Sequence, residues 1–183
     1  REKFSAYYEA FGFTGRTGID LPGEARSSIY YQVEDMGPVE LASSSFGQTN
    51  KVTPIQMITA YAAAVNGGYL VTPYVVDKIV DENGTVVKTV EPNVRRQVIS
   101  EETSAYMRTV LESVVNNNGG GNSYIQGYRI GGKSGTSEKQ DENLAENRDD
   151  LYVSSYVGFA PADDPEIIML VMVDRPTGAD YYR

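Results

Sequence analysis

Seven consecutive apolar residues, Ile167 to Val173, limit the architectures open to this chain. The run is far shorter than the roughly 20 residues of a membrane-crossing helix. It lacks the alternation of a half-buried strand, so it reads as a strand covered on both faces. Two further strand segments precede it, Tyr128 to Ser137 and Tyr152 to Ala160. Pro161 to Pro165 connects the last two, and the polar stretch Glu138 to Asp150 connects the first two. That stretch is rich in oxygen donors but lacks the Asp-x-Asp-x-Asp-Gly order of a calcium loop, and no metal site is assigned to it. It reads as a solvated, mobile loop.

Earlier in the chain, helices alternate with turns. Phe4, Tyr7, Tyr8 and Phe11 recur at helical spacing, which predicts a short helix from Glu2 to Phe11. Gly12 to Gly23 is turn-rich, and Ala25 to Ser45 has no clear period and reads as a loop with short turns. Thr53-Pro54 marks a helix start, with Thr as N-cap and Pro in the first helical position. This helix runs to about Asn66, stops at Gly67-Gly68 and is apolar on nearly every face, so burial is expected. Tyr74 to Asp81 and Thr85 to Val90 predict a hairpin around Asn83-Gly84, a turn that wants positive φ at both central residues. Ser100 caps the next helix, which runs to about Asn116 with Tyr106, Met107, Val110, Leu111 and Val114 as its apolar face. Asn116 to Asn122 is all Asn and Gly, a flexible loop. No repeat and no linker is visible, so one domain over residues 1–183 is expected.

Composition excludes several chemistries. The chain has 183 residues, 40% of them hydrophobic, enough for a real core. Its net charge of -9 argues against nucleic acid, which needs a basic face, and disfavours an anionic membrane surface. With no Cys there is no disulfide frame and no thiolate chemistry, and with no His there is no Ser-His-Asp triad. Acyl transfer in such a protein must use Lys or a carboxylate as base. The chain begins with Arg and shows no signal peptide, so it reads as an excised piece.

Against that background stands Lys133-Ser134-Gly135-Thr136, directly after Gly131-Gly132. Alone, such a run fits a surface lysine on an edge strand, where Lys discourages pairing. Its company is more specific: Phe11-Gly-Phe, Thr17-Gly-Ile-Asp-Leu-Pro-Gly-Glu24, Ser45-Phe-Gly-Gln48, Val52-Thr-Pro-Ile-Gln-Met57, Ala60 to Gly68 and Val157-Gly-Phe-Ala-Pro161. This ordered set resembles the C-terminal part of the transpeptidase domain of class B penicillin-binding proteins, in the division and sporulation branch. The likeness runs from about Phe4 to Arg175. In one place it departs, because Thr49 stands where the family's Ser-Phe-Gly-Gln run ends in Gly.

The resemblance implies an α/β (α+β) fold of the β-lactamase/transpeptidase type, an antiparallel sheet flanked by helices. It implies a serine D,D-transpeptidase that takes the D-Ala-D-Ala end of a peptidoglycan stem peptide, is acylated by β-lactams and uses no cofactor. Lys133 would supply positive charge near the nucleophile, and the Thr136 N–H would be half of an oxyanion hole. Ser134 and Thr136 would bind the substrate carboxylate, and Gly135 would let the substrate lie close. Gly131-Gly132 read more simply as room for a helix to pack on the sheet. Ser45, Phe46, Gly47 and Gln48 would shape the floor of the site. The family's Ser-x-x-Lys and Ser-x-Asn motifs are absent from these 183 residues, so the nucleophile is expected in an N-terminal remainder of the domain. That remainder would also pair the outer edge of Ile167 to Val173. The family is anchored by an N-terminal transmembrane helix, with this domain outside the cytoplasm. A serine β-lactamase or β-lactam sensor, or a non-catalytic binding domain of the same fold, are the alternatives.

Overall fold

The computed structural model describes residues 1–25, 30–48, 50–117 and 123–177, so Thr49 and most of the Asn116–Asn122 stretch lie outside the described residues. The chain forms two units, Arg1–Ser104 and Ala105–Arg183. Their boundary falls inside a helix rather than in a linker.

The first unit opens with α1, Glu2–Ala10, as its aromatic spacing predicts. Tyr8 stacks on Phe4 at 6.0 Å between ring centroids and meets Phe13 at 4.9 Å and Tyr30 at 5.4 Å. Burial in this cluster, with Tyr30 beside it, pushes the Tyr8 phenol up to about 12. A second helix, α2, covers Pro38–Ser45, where the sequence reading expects a loop. Gly37-Pro38 is its overlooked start signal: Pro occupies the first turn, where its missing N–H is not needed.

α3, Pro54–Val65, begins as predicted. The Thr53 hydroxyl accepts from the Gln56 N–H at 3.2 Å, and the Gln56 side chain accepts from the Thr53 N–H at 2.9 Å. This reciprocal pair is a capping box. The buried Gln56 also donates to the carbonyls of Phe13 (3.2 Å) and Gly15 (2.7 Å), which ties the turn-rich segment to α3. After the helix, Gly68 lies at φ +91°, and a Cβ there would sit 1.9 Å from the Ile99 carbonyl, so only glycine fits. Short β1, Tyr69–Thr72, pairs antiparallel with β4, Asn93–Gln97. Neither was legible, since Asn-Val-Arg-Arg-Gln has no strand pattern.

Between them lies the predicted hairpin, β2 (Lys78–Val80) with β3 (Val86–Thr89). Its turn differs from the expected one. The Gly84 N–H closes on the Asp81 carbonyl at 3.0 Å, and Gly84 (φ +81°) takes the left-handed position while Asn83 does not. One positive φ, rather than two, marks a longer loop with a bulge in the ladder.

The run Thr17 to Glu24 has a local structural basis. The Glu24 carboxylate accepts from the Thr17 N–H (2.6 Å), the Thr17 hydroxyl (2.7 Å) and the Gly18 N–H (3.1 Å). Asp20 accepts from the N–H groups of Val75 (2.8 Å) and Val76 (2.9 Å). Burial raises the Glu24 pKa, but hydrogen bonds from Thr17 and Gly18 outweigh it and hold the carboxyl below its ordinary value. The Val76 and Val75 N–H groups lower Asp20 likewise. A depressed folded pKa stabilises fully above the unfolded value, near 4, and that contribution is lost as pH falls through the folded value. The melting temperature is therefore expected to drop as pH falls below about 4. Thr17→Val should flatten that loss in a melting series against pH.

Helix α4, Glu101–Asn117, starts at Ser100, whose hydroxyl accepts from the Thr103 N–H at 3.1 Å. Its buried stripe is Ser104, Leu111 and Val115. The expected apolar face is rotated, because Tyr106 and Val110 are exposed.

The second unit is built on a three-stranded antiparallel sheet, β5 (Gly131–Glu138), β6 (Tyr152–Ala160) and β7 (Ile167–Asp174), in that order. Its buried residues are Gly131 and Gly132 on β5 and Val157 and Phe159 on β6. β7 is an edge of this sheet among the described residues. The expectation that it is covered on both faces does not hold in this chain: Ile167, Met169, Val171, Met172 and Val173 are exposed.

Candidate active site

β5 carries the predicted motif at the other edge of the sheet. Its register against β6 is unbroken from Gly131↔Phe159 to Glu138↔Tyr152. The next residue, Lys139, gives its N–H to the Leu151 carbonyl at 2.9 Å. Antiparallel ladders alternate, so Lys133, Gly135 and Ser137 turn their backbone groups toward β6. Ser134 and Thr136 therefore turn theirs outward, toward an edge that no described strand covers. Two contacts agree with this phase. The Ser155 hydroxyl on β6 donates to the Gly135 carbonyl at 3.2 Å, and the Lys133 ammonium donates to the outward Ser134 carbonyl at 3.0 Å.

All four residues of the motif are exposed. Ser134 and Thr136 share one face of the strand, two positions apart. The edge thus presents a cation, two hydroxyls and an outward N–H, and no described strand pairs with it.

Gly131 and Gly132 serve aromatic side chains rather than a helix. A Cβ on Gly131 would lie 2.3 Å from the ring of Phe159, and one on Gly132 would lie 2.3 Å from the hydroxyl of Tyr156. Both rings reach across from β6 and cover the start of β5. At Gly135 a Cβ would meet only the end of the Ser155 side chain, at 2.9 Å.

The strand is fastened where it leaves the sheet. Much of the expected loop is helix α5, Gln140–Glu146, which ends at a left-handed Asn147. Asn143 is buried, and its side chain accepts from the Leu151 N–H (2.9 Å) and donates to the Leu151 carbonyl and the Glu138 carboxylate (3.3 Å each). Lys139 pairs with Asp174 (2.7 Å) and Glu142 (2.9 Å), and Arg175 pairs with Glu142 and with Glu146 (2.8 Å). Hydrogen bonds from Lys139 and Arg175 hold the Glu142 carboxyl below its ordinary value. A segment tied this way is not the mobile loop its polarity suggests. Asn143→Ala strands the buried Leu151 N–H, so a loss of about 1–3 kcal/mol in unfolding free energy is expected from denaturant titration.

The other predicted site residues lie in the first unit. Ser45 ends α2 and Phe46 follows it, exposed. The Gly47 N–H donates to the Ser44 carbonyl and the Gln48 N–H to the Ser43 carbonyl, both at 3.1 Å, with Gly47 at φ +89°. That is a Schellman helix end, which requires glycine at this position.

The model of the penicillin-binding protein transpeptidase domain matches this chain over residues 1–183. The chain belongs to that family. It is 47% identical over 180 residues to Stage V sporulation protein D of Bacillus subtilis (strain 168), covering 97% of this chain and 27% of that protein. It is 31% identical to penicillin-binding protein PbpB of Mycolicibacterium smegmatis, covering 97% of this chain and 28% of that one. The chain thus spans about a quarter of the length of these relatives. Among solved structures, penicillin-binding protein 3 of Mycobacterium tuberculosis complexed with ampicillin superposes with a TM-score of 0.85 at 28% identity, over 96% of this chain and 40% of that one. The D,D-transpeptidase domain of a peptidoglycan glycosyltransferase from Eggerthella lenta gives 0.83 at 28% identity, over 96% and 43%. The mixed fold with antiparallel sheets that the motifs imply is therefore the fold of this family.

Proposed function

We propose that this chain is the C-terminal part of the catalytic domain of a penicillin-binding D,D-transpeptidase, and that β5 is its substrate-binding edge. In this reading a serine in the full-length enzyme attacks the D-Ala-D-Ala end of a peptidoglycan stem peptide. The last D-Ala leaves, and the acyl group passes to an amine on a neighbouring strand. β-Lactams acylate the same serine. Lys133 supplies the positive charge beside the reacting carbonyl and the terminal carboxylate. Ser134 and Thr136 bind that carboxylate through their hydroxyls, and the Thr136 N–H is half of the oxyanion hole. Gly135 lets the peptide lie against the strand, and Ser45, Phe46, Gly47 and Gln48 shape its surroundings. The nucleophile and base are contributed by Ser-x-x-Lys and Ser-x-Asn segments that these 183 residues do not contain. The enzyme works on the extracytoplasmic side of the membrane, anchored by a helix outside this sequence. No helix among the described residues is long and apolar enough to cross a membrane. Likeness to a protein named for stage V of sporulation supports a sporulation role.

The observation that carries this reading is the outward phase of Ser134 and Thr136 on an open strand edge. An oxyanion donor must point at the substrate, and an N–H already spent on β6 could not. Labelling with a fluorescent penicillin tests it. The full-length enzyme is expected to form one denaturation-resistant adduct, and the 183-residue chain none. A stoichiometric adduct on the chain alone would overturn the placement of the nucleophile.

A further inference from the structure

β5 is poorly suited to holding itself straight. Three of its eight residues, Gly131, Gly132 and Gly135, are glycines, and among the described residues it pairs with a strand on one side only. Glycine weakens a strand because it has no side chain to pack and more freedom to lose. A substrate edge made this way must take its rigidity from its ends. Lys139 and Asn143 secure the C-terminal end. At the N-terminal end the fastening is Arg129, two residues before the strand.

Arg129 makes a forked pair with Glu112 of α4, both N–H···O distances being 2.7 Å. Glu112 is largely buried, its side chain 15% exposed, so the fork is held on a fixed base. A third guanidinium nitrogen meets Asp163, in the connection between β6 and β7, at 2.9 Å. The Arg129 carbonyl accepts the Ala162 N–H from the same connection at 2.9 Å. One side chain thus joins the helix, the strand entrance and the β6–β7 turn. Three guanidinium nitrogens share this work, two of them in a parallel fork on Glu112 that the single ammonium of Lys does not reproduce.

We propose that Arg129 is a positioning residue for transpeptidation: by anchoring the entrance of β5 to Glu112 and Asp163 it sets the reach of Lys133 and the phase of the Thr136 N–H. This rests on the reading of β5 as the substrate edge. Arg129 touches no substrate and acts through the strand.

The test is made in the full-length enzyme. Sites are titrated to saturation with a fluorescent penicillin, and the second-order acylation rate is measured per titratable site. Arg129→Ala and Arg129→Lys are expected to keep one adduct per molecule but to be acylated about ten- to a hundredfold more slowly, the scale of a small misplacement of catalytic groups. Asp163→Asn, which spares the Glu112 fork, should fold and show a smaller slowing, and it keeps the test open if Arg129→Ala does not fold. A role confined to stability would lower the melting temperature and the number of titratable sites without changing the rate per site. An unchanged rate per site in Arg129→Lys and Asp163→Asn overturns the proposal. Lys133→Ala is run beside them. If it too is acylated at the normal rate, the reading of β5 itself is what fails.

Discussion

Lys133→Ala in the full-length enzyme is expected to slow acylation by a penicillin about a hundredfold or more, the cost of removing one preorganised electrostatic group from a reacting centre. The residue is exposed on its strand, and its ammonium already folds back on the outward Ser134 carbonyl at 3.0 Å. It therefore lies on the edge that the proposed reading assigns to the ligand carboxylate and the developing oxyanion. Thr136→Ala removes a hydroxyl but keeps the backbone N–H. Its cost should be smaller, about 1.5–3 kcal/mol, that of one charge-assisted hydrogen bond. Stopped-flow acylation kinetics distinguish the two. A rate unaffected by Lys133→Ala would mean that β5 does not line the site.

The isolated 183-residue chain is expected to self-associate rather than run as a monomer of 20.1 kDa. β7 is eight residues long, contains no Pro or Lys, and pairs only with β6 among the described residues. Its backbone groups on the open side are a template for another strand, and Ile167, Met169, Val171, Met172 and Val173 expose apolar surface beside them. Light scattering across a concentration series should show mass above the monomer. Val171→Lys, a charge placed on that edge, should shift the population toward monomer. A monodisperse monomer of the unmutated chain at high concentration would show that this edge is covered.

Helix starts were legible where a side chain closes the backbone locally. Thr53 with Gln56 and Ser100 with Thr103 satisfy orphan N–H groups within one turn, so three or four letters suffice. α2 lies in Ala25 to Ser45, a stretch without a clear apolar period, and its start is marked only by Gly37-Pro38. β1 and β4 were missed for a different reason: each is stabilised by its partner across more than twenty residues, and pairing leaves no local period. α5 was hidden in the same way. Its anchor, Asn143, is an ordinary polar letter until Leu151 and Glu138 are brought around it.

The sequence by itself determined the chemistry available: no His and no Cys, a Lys-Ser-Gly-Thr strand, and no Ser-x-x-Lys to act on it. Those are covalent facts that folding cannot change. It also placed β6, whose bounding Pro161 is a local signal. Tertiary structure alone decided which edge of the sheet the motif occupies, which backbone groups of Ser134 and Thr136 face outward, and how Arg129 and Asn143 hold the strand between them. Each of these depends on register and on partners distant in sequence. A shift of one residue in the pairing of β5 with β6 would turn the Thr136 N–H inward and leave every letter the same.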